Sequence, residues 1–151
     1  MAARRFVVLA VCAPVLVLAA CGSSSAATLT KAQYDSRVNR LCLVSADQIR
    51  ELHIDNTVAD WRSRLGASVV KIDKRFTSKL AGWSPPASIA SPAAAYAKAN
   101  AKVTQDDRNS VAAAKANDGA RLRAALNQAN KDALATSLSA KAIGATGCYI
   151  P

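Results

Sequence analysis

The chain is predicted to be all-α, a single antiparallel up-and-down bundle of about four helices. Three features predict this. From Thr30 onward, apolar residues recur at three- and four-residue steps, the period of one helix face. Alternation at period two with β-branched residues, which would signal strands, is absent outside the first twenty residues. Segments rich in Pro, Gly, Asn and Asp then cut the helical pattern into lengths suited to a bundle with short connections.

The first element is not part of the bundle. Arg4 and Arg5 precede fifteen uncharged residues, Phe6 to Ala20, and no acid occurs in the first twenty positions. A spanning helix needs roughly twenty apolar residues, so this run is short for a permanent anchor and suits a signal peptide. Pro14 in its middle weakens a straight helix further. The run ends in Leu18, Ala19, Ala20 and Cys21, four residues that resemble the lipobox of bacterial lipoproteins. The resemblance covers the first twenty-odd residues alone. It implies a diacylglycerol thioether on the Cys21 sulfur and cleavage just before it, so residues 1–20 would leave and Cys21 would begin the mature chain. The address implied is extracytoplasmic, with the protein held to the cell membrane by lipid. An ordinary secreted protein is the competing reading, because Ala19 and Ala20 also suit simple cleavage.

That assignment orders the cysteines. Cys12 leaves with the signal and Cys21 carries lipid, which leaves Cys42 and Cys148 free to pair in an oxidising space. A bridge between positions 106 residues apart would contribute about 4–5 kcal/mol on the chain-entropy account. Two unpaired thiols or metal ligands are the alternative, although no CxxC or Cys–His spacing accompanies them, and no metal or other cofactor is expected.

Removing residues 1–20 leaves 131 residues and one domain's worth of chain, with 18 basic against 10 acidic residues, a net charge near +8. Residues 21–29 read as a lipidated flexible tether and residues 30–151 as the bundle. Thr30 caps a first helix whose inner face carries Tyr34, Val38, Leu41, Cys42, Ser45, Ile49 and Leu52. HIDNT, residues 53–57, breaks it. Val58, Trp61, Leu65, Val69, Ile72, Phe76 and Leu80 then form the cleanest stripe of the chain, on one second helix that stops at the prolines of residues 82–92. Ser91 and Pro92 suit the start of a third helix. From Pro92 to Ile143 alanine dominates, either as one long helix or as two divided at Asn117, Asp118 and Gly119, with Asp118 as cap. Gly144 ends it, and the tail returns Cys148 to the first helix, closing the bundle by the disulfide.

Recognisable chemistry is sparse. His53 is the only histidine, set in a turn beside Asp55, and reads as a solvated residue rather than a ligand or base. No GxSxG elbow exposes a serine. Asp106 and Asp107 are neighbours on a helix, pointing about 100° apart, and Asp107 is expected at the rim of the apolar face. Arg64, Lys71 and Arg75 form a stripe that could rest on anionic lipid or wall polymer. Its plainer account is a solvated flank steadied by an Asp60–Arg64 pair. Trp61 belongs to the core stripe, and Trp83 packs under the proline elbow or floors a pocket there. Nucleic acid is excluded as a partner by the export signal and by the lack of aromatics among the basic residues.

The expected function is therefore a membrane-anchored extracytoplasmic lipoprotein, a non-enzymatic helical module binding a small apolar ligand, a wall polymer or an envelope protein. The alternatives are an envelope hydrolase or transferase with an unfamiliar site, and a purely structural spacer near the membrane.

Overall fold

The computed structural model describes residues 28–148. The signal segment, Cys21 and most of the tether lie outside the described residues. The architecture is all-α: α1 (Lys31–Arg50), α2 (Val58–Arg62), α3 (Arg64–Ala81), α4 (Ala90–Lys115) and α5 (Gly119–Ala142). Short 3₁₀ turns precede α4 (Ala87–Ile89) and follow α5 (Thr146–Cys148). Among the described residues no helix is long and apolar enough to cross a membrane.

Each helix begins for a local reason. The Thr30 hydroxyl accepts from the Gln33 amide while the Gln33 side chain accepts from the Thr30 amide, a reciprocal cap on α1. Leu29, expected in the tether, belongs to the fold instead: its amide donates to the Ser84 carbonyl at 3.2 Å and its side chain is buried. The third long helix starts at Ala90, so Ser91 lies inside its first turn rather than capping it.

The expected second helix is two. Ser63 is extended, and its side chain accepts from the Leu65 amide to start α3 while its hydroxyl donates to the Asp60 carbonyl. Gly66 makes the kink possible, since a Cβ there would stand 2.4 Å from the Trp61 carbonyl oxygen. The apolar stripe survives the break because it bends with the chain. The Asp60–Arg64 pair does not form among the described residues. Asp60 Oδ2 is held by the Thr57 hydroxyl and the Asp55 amide in the cap of α2.

The alanine-rich half is two helices, α4 and α5. Asn117 takes the left-handed conformation at φ 56°, and the amides of Asn117 and Asp118 bond back to the carbonyls of Ala114 and Ala113. Asp118 then caps α5 by accepting from the Arg121 amide at 2.9 Å. The same pattern closes α5 at Gly144, where φ is 78°.

Among the described residues the interior has two apolar clusters. One gathers Tyr34, Val38, Cys42, Phe76, Leu80, Tyr96 and Ile143 near the termini of the fold. The other gathers Trp61, Val69, Ala113, Ala114 and Leu122 at the far end. Between them on α3, α4 and α5 come the polar residues Asp73, Thr104, Asp106, Asp107, Ser110 and Ser137, most of them buried. Cys148 meets Cys42 as predicted, joined as a disulfide with Cα atoms 5.1 Å apart. The Gly147 amide, donating to Asn39 Oδ1 at 2.7 Å, docks the tail beside it.

A cleft between the first and last helices

Helix α1 packs chiefly on α3 and on the 146–148 turn, and it leans away from α5. The gap is a cleft of about 480 Å³, floored by α3 and α4. Its walls come from Leu43, Ala46 and Ile49 on α1 and from Ala133, Thr136 and Ser137 on α5. This volume falls within the range of small-molecule sites. Ile49, expected in the core, is instead exposed at this opening. Leu134 and Leu138, one residue beyond the lining positions Ala133 and Ser137, are 62% and 60% exposed. Leu43 itself lines the cleft and is exposed.

The cleft has two chemically different ends. At one end Phe76 meets Tyr96 edge to face, with ring centroids 6.4 Å apart, beside the Cys42–Cys148 bridge. The Tyr96 hydroxyl lies 3.2 Å from Cys42 Sγ and acts as the donor, because a bridged sulfur has no proton. Burial pushes the Tyr96 phenol up to about 12, which keeps that proton in place. At the other end Asp73, Asn100 and Thr104 line the cleft, with Thr104 only 4% exposed and Ser137 only 2%.

Behind Asp73 stands Asp107, 7% exposed on α4 and within hydrogen-bonding reach of it. Both carboxyls are raised. Burial is the main cause for Asp107, pushed up to about 9, and the bond and charge of Asp73 and the charge of Asp106 add to it. For Asp73 burial raises the value, while the bond from Asp107 works the other way. The arrangement is a carboxyl–carboxylate pair in which Asp107 keeps the proton and donates it to Asp73. Asp107 is thus buried, not at the rim where the sequence placed it.

Asp106 belongs to a second pair. Burial raises it, and Asp132 on α5 adds to the rise, while Lys102 opposes it. Asp132 is lowered, first by its bond from Gln128 Nε2 at 2.9 Å. The two neighbouring acids therefore serve different interfaces, α3–α4 and α4–α5, as their 100° separation requires.

The other candidate residues are spread over the fold. Cys42 and Cys148 form the apolar end of the cleft, and Cys21 is outside the described residues. Arg64, Lys71 and Arg75 are exposed and do not line the cleft. His53 is exposed in the α1–α2 link at φ 48°. Trp83 is half-buried against the first cluster and lines no part of the cleft. Asp73 is the one cleft acid not singled out above, although the sequence carries a signal for it. Asp73 stands four residues after Val69 and three before Phe76, an acid on the core stripe itself.

No known protein family, curated protein or solved structure matches the chain. The chemistry of the cleft therefore stands on its own residues.

Proposed function

We propose that the protein is an extracytoplasmic module tethered to the membrane through lipid on Cys21, which holds a small amphipathic ligand in the cleft between α1 and α5. The cleft carries this reading: an opening of about 480 Å³ with an apolar end, a polar end and the exposed apolar side chains of Leu43 and Ile49 along its wall. A spacer has no use for such an opening, and a bundle built only for rigidity would bring α1 onto α5. Extraction of the native protein in mild detergent, followed by mass spectrometry of what dissociates on denaturation, tests the reading. A small molecule should be recovered from the wild type and lost from Ala133→Trp, which fills the cleft from α5. Recovery of equal amounts from both would count against the cleft.

The anchor is tested separately. Cys21→Ala should move the protein from the membrane fraction to the soluble one, and retention in the membrane would remove the lipid assignment.

A hydrolase has one observation in its favour, the half-ionised Asp73–Asp107 pair at the cleft. Against it, Asp73 alone of the two lines the cleft, so a bound substrate meets one carboxyl and not a pair of acids flanking a bond. Turnover of envelope glycan or ester that disappears in Asp73→Asn would favour the enzyme.

A further inference from the structure

The charges and hydrogen bonds of the cleft narrow the class of ligand, on the premise that the cleft is a binding site. Among the described residues Asp73 is its only lining acid and Arg50 its only lining base. Arg50 stands at the solvent edge in an exposed pair, with Nη1 2.8 Å from Asp47 Oδ1. Among the described residues no Lys or Arg lies in ion-pair range of Asp73 or Asp107. Asp73 Oδ2 is buried without a hydrogen-bond partner, and the Asp107 carboxyl is the group within reach of the Asp73 side chain. The pair thus holds one negative charge in the polar seam with no cation from the protein beside it. A buried charge left unpaired is costly, and here it borders an opening through which a counter-charge can enter.

The hydrogen-bond inventory points the same way. The Thr77 hydroxyl donates to the Asp73 carbonyl and the Thr104 hydroxyl to the Asn100 carbonyl. Asn100 Nδ2 donates to the Tyr96 carbonyl at 2.9 Å, and the Thr136 hydroxyl donates to the Asp132 carbonyl. These threonine and asparagine donors are turned to the helices' own backbone, while the Ser45 and Ser137 hydroxyls, the second Asn100 N–H and the rest of the Arg50 guanidinium keep donors of their own. Around Asp73 itself these groups offer a ligand mainly acceptors: the Asp73 carboxylate, Asn100 Oδ1 and the lone pairs of the threonine oxygens. A site rich in acceptors and carrying a negative charge complements a group that has only donors and a positive charge.

We propose that the cleft takes an organic cation with an apolar body, its primary ammonium set against Asp73 and its hydrocarbon lying toward Phe76, Tyr96 and the Cys42–Cys148 bridge. The three N–H donors of the ammonium match Asp73, Asn100 and Thr104. From Cys42 to Arg50 the wall on α1 runs about 12 Å at 1.5 Å per residue, room for a body of roughly eight carbons. A bare metal ion is a poorer occupant, since no three His, Cys, Asp or Glu side chains gather among the described residues to cage it. The chain as a whole is basic and repels cations at long range, so selection comes from contact within the cleft.

Calorimetric titration of the full chain at pH 7 with octylammonium, octanol and octanoate tests this. Octylammonium should bind at least tenfold more tightly than octanol, and octanoate should not bind measurably. Asp73→Asn should bring octylammonium down to the affinity of octanol and leave octanol unchanged. Thr104→Val removes one acceptor with little change of shape. It should weaken octylammonium several-fold without touching octanol, and it keeps the test decisive should Asp73→Asn fold poorly. If the three probes bind alike, or octanoate binds best, the cleft remains a binding site and the ammonium assignment is overturned. If none binds, the binding reading of the cleft falls with it.

Discussion

The two apolar clusters of the bundle are built from different materials. The cluster near the termini uses large side chains, Tyr34, Tyr96, Phe76 and Ile143, and carries the disulfide. The far cluster has Trp61, Val69 and Leu122, filled out by Ala113 and Ala114, and no covalent tie. If the bridge compensated for a lack of bulky side chains, it would sit at the far end. It sits instead where α1 leans away from α5. The cross-link replaces the packing that the cleft forgoes, whereas the far cluster holds itself by close approach, with alanines on α4 and Gly66 against the Trp61 carbonyl.

The largest way to break this contrast is to cut the bridge. Cys148→Ser should cost about 4–5 kcal/mol on the chain-entropy account and lower the melting temperature by many degrees. Hydrogen exchange should rise first in α1 and around Tyr96, with the far cluster keeping its protection. A melting curve identical to the wild type, with both thiols of the wild type open to alkylation, would remove the bridge from the account. Next comes Trp61→Ala, which deletes the largest side chain of the far cluster and should cost about 3–5 kcal/mol. Here exchange should rise at α2, the start of α3 and the first turns of α5, while the disulfide end stays protected. Equal loss at both ends in either variant would mean that the clusters unfold as one.

Much of this contrast was legible in the sequence. The first helix, its Thr30 cap and the core stripe through Trp61 and Phe76 follow from spacing, the Cys42–Cys148 pairing follows from the lipobox resemblance that sets Cys12 and Cys21 aside, and the structure has them. The kink at Ser63 was not legible, because the apolar stripe passes through it unbroken. Only the demand of Gly66 for a bare Cα against Trp61 reveals it, and that is a tertiary contact. The choice between one helix and two over residues 92–143 turned on Asn117, whose left-handed conformation ends α4 one residue before Asp118 begins to cap α5. The cleft escaped the sequence because Ile49, Leu134 and Leu138 look like core at their helical positions, and nothing local says that α1 will diverge from α5. Asp73 and Asp107 escaped it for a different reason. A lone acid on an apolar stripe reads as a rim residue until its partner on another helix is known.

The polar seam between the clusters is sharpened by pH. Asp107 binds a proton in the folded chain up to about 9 and in the unfolded chain only up to its ordinary 3.8. Its contribution to stability is therefore complete below about pH 4 and is lost as pH rises toward 9, by at most about 1.4 kcal/mol per pH unit. Asp73 and Asp106, also raised, add slope of the same sign. Asp132, lowered, acts the opposite way and only in acid. Asp107→Asn keeps a donor toward Asp73 without needing a proton from solvent. It should flatten the decline in melting temperature between pH 5 and pH 9 and melt above the wild type at pH 8. A wild-type melting temperature that rises from pH 5 to pH 8 would mean that the carboxyl pair does not hold its proton.

The smallest effects read the two ends with one kind of lesion. Thr30→Ala removes the side-chain cap of α1 at the disulfide end, and Asp118→Ala removes that of α5 at the far end. Each deletes one side-chain acceptor for a helix-start amide, for an expected cost of about 1 kcal/mol. The costs should differ in where they are felt. Loss of the Thr30 cap frays the first turn of α1 and stops short of Cys42, because the bridge and the Asn39–Gly147 bond pin the helix from there on. Loss of the Asp118 cap reaches Leu122 one turn later, a core residue of a cluster with no such pin, so exchange should rise through Trp61 and Ala114 as well. Under Cys148→Ser the pin on α1 is gone, and Thr30→Ala should then spread as far along its helix as Asp118→Ala does along α5. If the Thr30 lesion stays confined to one turn even without the bridge, packing on α3 alone holds α1, and the cross-link has a smaller part in offsetting the open cleft than the geometry assigns it.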